Sequence, residues 1–246
     1  MLRNKLVGIA LAAPLAFAIG AVGPAYGAEK KEEAKAEAKK GKNVDAAKRG
    51  TTPQTEAAAM ARLADQLARY GDKNKDALAM IEAAKIFNEV GVRDEKREKK
   101  TEGAAAGDGK EGASKTRDQS VTALLARARE YAGGRKDLIA LADEAAKSTK
   151  RGAYNPVRHI DRVRGRATDV YTVTFRGGEP AFLAISGDGD TDLDLFVYDQ
   201  NGNLICSSNS SGDDEACRWY PRWTGPFVIR VRNLGSVYNE YRMWSN

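Results

Sequence analysis

The sequence predicts an α+β protein in two parts, with helical hairpins of a four-helix type in the N-terminal half and a small antiparallel β-sandwich after them. Between residues 54 and 152 the apolar residues recur at spacings of three and four, which is typical of one face of a helix. After Gly165 apolar and polar residues alternate, as in a half-buried strand. The lysines end at Lys150, so the composition changes near the same position.

The first 27 residues have the pattern of a secretory signal peptide. Arg3 and Lys5 precede an apolar run over residues 6–22, and residues 25–27 place small side chains at the cleavage positions. An uncleaved anchor is the alternative, but the run is near the lower limit for a membrane span and contains Pro14. We therefore expect a secreted or periplasmic protein with no transmembrane segment after cleavage.

Residues 28–53 form a charged, low-complexity segment without an aromatic residue. Such a segment has too little apolar surface to offset the entropy that is lost on folding. We expect it to be a spacer, either a plain linker or a tether to the cell envelope.

The helical part, residues 54–152, begins with a first hairpin. Met60, Leu63, Leu67 and Tyr70 lie on one face of its first helix, and Asp76 can cap its second.

The same unit returns 61 residues later, where Tyr131 corresponds to Tyr70 and Leu124 corresponds to Leu63. This correspondence predicts a second hairpin, so that the two hairpins could pack as four helices. Residues 93–118 between them are charged and rich in Gly and Ala, which predicts a flexible linker.

The second part, residues 153–246, contains about seven short apolar runs separated by turn signals, the pattern of a β-sandwich. The runs are residues 170–175, 182–185, 193–198, 204–206, 217–220, 227–231 and 238–243.

The two cysteines, Cys206 and Cys217, predict a disulfide, since an exported chain meets an oxidising compartment. No further Cys or His lies near them to complete a metal site. The bridge closes a short loop and is expected to contribute roughly 3 kcal/mol.

Charge is unevenly distributed along the chain. The formal net charge is +6, which becomes +4 without Arg3 and Lys5. Residues 28–165 hold 31 basic and 23 acidic residues (+8), whereas residues 166–246 hold 7 and 11 (−4). Because acids are interleaved with the bases in an exported chain, no nucleic-acid partner is predicted.

Four aspartates precede one of the predicted strands and are candidate calcium ligands: Asp188, Asp190, Asp192 and Asp194. An EF-hand is excluded, because Leu193 stands where the loop requires glycine. The alternative is a structural turn, in which short acidic side chains bond neighbouring N–H groups.

Aromatic residues are concentrated near the C-terminus, where Trp219, Tyr220 and Trp223 could present flat rings to a sugar or a peptide. Packing in the core is the alternative. The lone histidine, His159, lies in the connector before the predicted strands, and no serine or free thiol is placed to work with it. We therefore predict no enzymatic activity.

The residues after Gly165 resemble the bacterial pre-peptidase C-terminal domain, over about a third of the chain. The positions that fit its pattern are Asp192, Asp194, Leu195, Phe196, Gly225, Phe227, Asn233 and Tyr241. The resemblance implies a small jelly-roll-like sandwich appended to secreted proteins, in a family some of whose members bind calcium. The family usually follows a peptidase or another hydrolase domain, and none is predicted here.

These features predict an exported, non-catalytic binding or accessory protein whose sandwich recognises a polymer or a protein surface, with Ca²⁺ as a candidate cofactor. One alternative is an envelope-associated structural protein that acts through its helices. Another is an accessory protein or inhibitor of a secreted peptidase.

Overall fold

The computed structural model describes residues 41–103, 117–148, 152 and 154–246. The predicted signal peptide, the first part of the spacer and the second part of the linker lie outside these residues. Residues Lys40–Asn246 form one compact unit, which holds both the helices and the strands.

Four helices form the two predicted hairpins. Their bounds are α1 Pro53–Asn74, α2 Ala77–Val90, α3 Val121–Tyr131 and α4 Lys136–Lys147. Helix α2 begins as expected, because the Asp76 carboxylate accepts the N–H groups of Leu78 and Ala79. The helices pack in chain order, α1 on α2, α2 on α3 and α3 on α4.

Helix α1 buries the face opposite to its large apolar residues. Met60, Leu63 and Tyr70 are 40%, 42% and 55% exposed, whereas a row of alanines and Gly71 is buried. A Cβ atom at Gly71 would lie 2.6 Å from the Met80 sulfur, so α1 and α2 approach too closely there for a side chain. Small residues therefore form the buried side of α1.

Among the residues that the structure describes, ten strands form two sheets of five. The first sheet has the order β1-β3-β10-β5-β8 and the second has the order β2-β4-β9-β6-β7. The bounds are β1 Arg93–Asp94, β2 Lys99–Gly103, β3 Val157–Val163, β4 Ala167–Phe175, β5 Ala181–Ser186, β6 Leu193–Asp199, β7 Leu204–Ser208, β8 Asp214–Trp219, β9 Gly225–Asn233 and β10 Asn239–Ser245. Alternate residues of these strands, such as Leu183, Leu195 and Ile229, fill the core between the sheets.

Two of these strands come from the segment predicted as a flexible linker. β1 pairs in parallel with β3, and β2 pairs antiparallel with β4. The linker prediction is therefore wrong for residues 93–103. The physical reason is charge pairing, since Lys99 Nζ lies 2.6 Å from Asp161 and 2.8 Å from Asp169.

The helices cover the outer side of the first sheet, where α1 packs against β5 and β10. Trp244 of β10 is fully buried there, with its ring stacked on Phe87 at 5.8 Å between centroids. Asp65 of α1 also pairs with the buried Arg242 at 3.3 Å. The two predicted parts of the chain thus share a core.

The predicted disulfide is confirmed, with the Cα atoms of Cys206 and Cys217 5.9 Å apart. It joins β7 to β8, the last strands of the second and first sheets, and so closes one side of the sandwich. Within the described ranges, no helix combines the length and the apolarity that crossing a bilayer requires.

Candidate functional site

The last residues of the predicted spacer are bound to one end of the sandwich. Asn43 is buried, its Nδ2 donates to the Trp223 carbonyl at 3.0 Å and its Oδ1 accepts the Trp223 N–H at 3.0 Å. The Asn43 N–H donates to Asp199 Oδ2 at 2.8 Å. The spacer prediction is therefore wrong at this point, because Asn43 satisfies the backbone groups of a turn.

Two further segments are tied to the same end. The Asp45 N–H donates to the Tyr220 carbonyl at 2.8 Å, and the Gly178 N–H donates to the Pro221 carbonyl at 2.8 Å. The Tyr220 hydroxyl donates in turn to the Gly178 carbonyl. We call the surface formed by residues 41–51, 176–180 and 218–224 the basic end.

The basic end contains six exposed cations and two acids, Asp45 and Glu179. The cations are Lys42, Lys48, Arg49, Arg176, Arg218 and Arg222. None of the six forms an ion pair with another residue that the structure describes. Lys48 Nζ instead lies 4.9 Å from the centroid of the Tyr220 ring.

A groove of about 600 Å³ lies at the basic end and extends to Ala181 and Ile205. Its apolar lining includes Val44, Ile205 and the half-buried Tyr220. Its charged lining is Lys48, Arg49 and Arg218 together with one acid, Asp45. A groove of this size is typical of sites for small molecules or for single units of a polymer.

The predicted aromatic platform is only partly realised. Trp219 is buried with its ring in the core, 4.7 Å from Phe175 and 5.3 Å from Phe227 between ring centroids, and it also borders the groove, so its role in binding stays a prediction. Alternation along β8 explains its burial, since Arg218 takes the outward position beside it. Tyr220 lines the groove, and Trp223 is half-buried with its backbone bound to Asn43.

The predicted aspartate ligands lie at the opposite end of the strands. Asp188 accepts the N–H of Asp190 at 3.1 Å through Oδ1 and the N–H of Glu240 at 3.0 Å through Oδ2. Burial raises the pKa of Asp188, although these two hydrogen bonds act in the opposite direction. The Asp188 carboxylate therefore accepts neighbouring N–H groups, as the alternative of a structural turn predicts.

Asp192 lies just before β6, and Asp194 is the second residue of that strand. Leu193 and Leu195 lie in the core, as predicted. Asp194 lies opposite Arg232 of β9. Burial raises the pKa of Asp194, the negative charge of Asp192 raises it further, and Arg232 lowers it.

The four aspartates are not gathered around one point. Across the described ranges, no group of three or more His, Cys, Asp or Glu side chains could hold a metal ion. The calcium site predicted from Asp188, Asp190, Asp192 and Asp194 thus has no preformed counterpart there.

Other carboxylates at this end are also bound by the fold. Asp213 Oδ2 accepts the Gly189 N–H at 2.5 Å and an N–H of the Asn239 side chain at 3.3 Å. Asp214 pairs with Arg69 of α1 at 2.6 Å. We call the loops 187–192 and 209–213, together with Asp214, the acidic end.

His159 lies in β3 rather than in a connector, and it is buried. Its Nδ1 is 3.2 Å from the Arg97 backbone nitrogen and its Nε2 is 3.3 Å from Asp161. Burial alone would raise the pKa of Asp161, but hydrogen bonds from His159 and Lys99 hold it well below its usual range. These groups bind β2 and the chain before it to the sandwich.

The cations of the basic end were not among the binding residues predicted from the sequence. A signal existed for Arg218 and Arg222, which flank the aromatic residues in the stretch from Arg218 to Trp223. No local signal existed for Asn43, whose partners Asp199 and Trp223 are 156 and 180 residues away.

No protein-family model and no curated relative matches the chain. Similar solved structures include Aeromonas hydrophila PliG, a periplasmic lysozyme inhibitor of g-type lysozyme, at 13% identity and a TM-score of 0.30, covering 37% of this chain and 84% of that one. The Yersinia pseudotuberculosis-derived mitogen has 13% identity and a TM-score of 0.27, over 37% and 85% of the chains.

The pre-peptidase C-terminal domain of a Bacillus anthracis collagenase has 8% identity and a TM-score of 0.22, over 39% of this chain and 80% of that one. Values this low establish neither a family nor a function. The sandwich that the sequence resemblance implied is present, and membership of that family stays a prediction.

Proposed function

We propose that the protein is an exported, non-catalytic binding protein that holds an anionic polymer at the basic end of its sandwich. The observation behind this proposal is the group of six exposed cations without ion-pair partners among the described residues. Like charges gathered on one surface repel each other, so the fold gains nothing from their proximity. A partner with repeated negative charges would relieve this repulsion and gain attraction along its length.

Export is supported by two features. The N-terminal pattern is that of a signal peptide, and the Cys206–Cys217 bridge is of the kind that persists in oxidising compartments. An exported chain would meet the acidic polymers of a cell envelope or an extracellular matrix rather than nucleic acid in the cytoplasm.

The test is binding of mature residues 28–246 to linear polyanions, measured by calorimetry at low and high salt. We expect binding at about 50 mM NaCl that weakens strongly toward 1 M, where the screening length falls to about 3 Å. The double variant Arg218→Glu/Arg222→Glu should bind at least about tenfold more weakly, a loss of roughly 1.4 kcal/mol.

A matched control separates local binding from net charge. Lys136→Glu/Lys147→Glu makes the same change in net charge on α4, where both residues are exposed. It should change the affinity by less than about twofold, because exposed charges separated by more than a screening length interact weakly. Equal losses in both double variants would contradict the proposal.

A second candidate is docking through the helices, and the exposed apolar residues of α1 favour it. Met60, Leu63 and Tyr70 lie on one side of α1 and are at least 40% exposed, which is typical of a protein contact. The variant Met60→Gln/Leu63→Gln should leave polymer binding unchanged, whereas loss of binding in this variant would favour the helical surface.

The binding test needs the whole mature chain rather than an isolated fragment 153–246. That fragment would lack β1 and β2, which complete the two sheets. It would also lack Asn43, which fixes one of the three segments of the basic end. The role as an accessory protein or inhibitor of a secreted peptidase stays a prediction.

A further inference from the structure

We propose that the anionic polymer is an acidic glycan, one sugar unit of which sits in the groove beside Tyr220 with its carboxylate toward Lys48, Arg49 and Arg218. This inference rests on the proposed function and names the chemical class of its ligand. It follows from the lining of the groove, which is partly apolar and partly charged, with three cations against one acid, Asp45.

The apolar part of the lining is what selects a sugar. Val44 and Ile205 pack against the core and are partly buried, and Tyr220 is held in place by its hydroxyl hydrogen bond to Gly178. A pyranose ring has apolar C–H faces that pack on such surfaces. A polyphosphate chain has no carbon surface and would use only the cations.

The cationic part selects an acidic sugar over a neutral one. Lys48 and Arg218 are exposed, and both line the groove near Tyr220. A carboxylate on the sugar ring could replace the contact of Lys48 with the Tyr220 ring by a charge-assisted hydrogen bond.

An acidic peptide fits this groove less well than a glycan does. A peptide that extends a sheet must bond the free backbone groups of the last strand. Just after β8, the Tyr220 carbonyl is already taken by the Asp45 N–H at 2.8 Å. The side chains that line the groove remain accessible to a sugar, which needs no backbone groups of a strand.

The experiment compares three probes of matched charge number on the mature chain, an oligouronate, a polyphosphate and an oligoglutamate, and adds a neutral oligosaccharide as an uncharged probe. Tyr220→Ala should weaken oligouronate binding about three- to tenfold and leave polyphosphate binding unchanged. Tyr220→Phe keeps the ring and should stay within about twofold. Arg222→Ala, which lies outside the groove lining, should weaken all three probes similarly.

A second variant tests the groove independently, in case Tyr220→Ala does not fold. Ile205→Gln changes a second apolar residue of the groove lining and should show the same selective loss for oligouronate. Each variant is accompanied by a urea unfolding curve.

Each outcome supports or overturns the inference. If Tyr220→Ala weakens the binding of all probes equally, or of none, the glycan inference is overturned. Weaker binding of all probes by Arg222→Ala would still support the binding of polyanions. Tighter binding of oligoglutamate with the same dependence on Tyr220 makes the ligand an acidic peptide. Equal affinity for a neutral oligosaccharide removes the role of the carboxylate. No binding of any polyanion overturns both the glycan and the proposed function.

Discussion

The two ends of the sandwich both carry many charges but use them differently. At the acidic end, Asp188 and Asp213 accept backbone N–H groups and Asp214 pairs with Arg69. At the basic end, the six exposed cations form no ion pair with a described residue, although Lys48 and Arg218 lie over aromatic rings and Arg49 donates to the Lys48 carbonyl.

This difference separates carboxylates whose hydrogen bonds and ion pairs hold the loops in place from cations that a partner can use. A carboxylate that accepts buried N–H groups cannot be removed without leaving those donors unpaired. An exposed lysine or arginine contributes little to stability. Asp188, which looks like a ligand in the sequence, thus has a structural role as a hydrogen-bond acceptor, and arginines that look ordinary are the candidate binding groups.

The largest effect is expected at the acidic end, from Arg69→Met. Arg69 pairs with Asp214 and with the fully buried Asp65, and it also donates to the Gly187 carbonyl. Its loss should lower the free energy of unfolding by about 3 kcal/mol, because Asp65 would keep only one partner. Urea unfolding measures this effect.

The control for Arg69→Met is Lys73→Met, one turn further along α1 and exposed. It should change the free energy of unfolding by less than about 0.5 kcal/mol. The comparison of the two ends fails if Arg69→Met leaves stability unchanged but weakens polymer binding.

Asn43→Ala should act on both properties, since Asn43 holds the segment that contributes Lys48 and Arg49 to the basic end. Two side-chain hydrogen bonds to Trp223 are lost, at a cost of about 1–3 kcal/mol for the groups left unpaired. Polymer affinity should fall severalfold, as measured by calorimetry. Asn209→Ala, at an exposed position in the acidic end, should change neither property.

Acid should affect the two ends in opposite directions. At the basic end, burial raises the pKa of Asp199, but hydrogen bonds from Asn203 and Asn43 lower it overall, below its usual 3.8. Its contribution to stability is complete above pH 3.8 and is lost as the pH falls through the folded pKa.

At the acidic end, the raised pKa of Asp188 means that ionisation costs the folded state more than the unfolded state. That cost is present above the folded pKa and disappears as the pH falls to about 3.8. Urea unfolding of Asp199→Asn and Asp188→Asn between pH 3 and 7 should therefore show opposite changes in the pH slope. Changes of the same sign would refute the contrast.

The smallest effect is expected from calcium. The described carboxylates form no group that could hold a metal ion, so the melting temperature should shift by less than about 2 °C between EDTA and excess Ca²⁺. Calcium at about a hundred times its dissociation constant would add about 2.7 kcal/mol and a shift of roughly 5–10 °C. A shift of that size would make the acidic end a binding site and remove the contrast.

The parts of the fold that could be predicted are those with local patterns. The two hairpins repeat at an offset of 61 residues, the strands after Gly165 alternate, and the two cysteines had one possible pairing. The burial of α1 could not be predicted, because the large apolar side chains, including Met60 and Leu63, suggest the wrong face. The structure buries the alanines instead, and the close approach of α2 at Gly71 explains why small residues are needed there.

The missing elements depend on contacts between distant residues. The charged sequence of β2 is typical of a linker. It forms a strand because Lys99 bonds to Asp161 and Asp169, which are 62 and 70 residues away. Likewise, Lys48 and Arg49 reach the aromatic turn because Asn43 and Asp45 bond to Trp223 and Tyr220.

The most direct test is to map polymer binding on the mature chain by NMR, following backbone amides as an oligouronate is added. The largest shifts should fall in residues 42–51, 176–180 and 218–224, with little change in residues 187–194. The largest shifts in residues 187–194, or on the outer side of α1, would contradict the assignment of binding to the basic end.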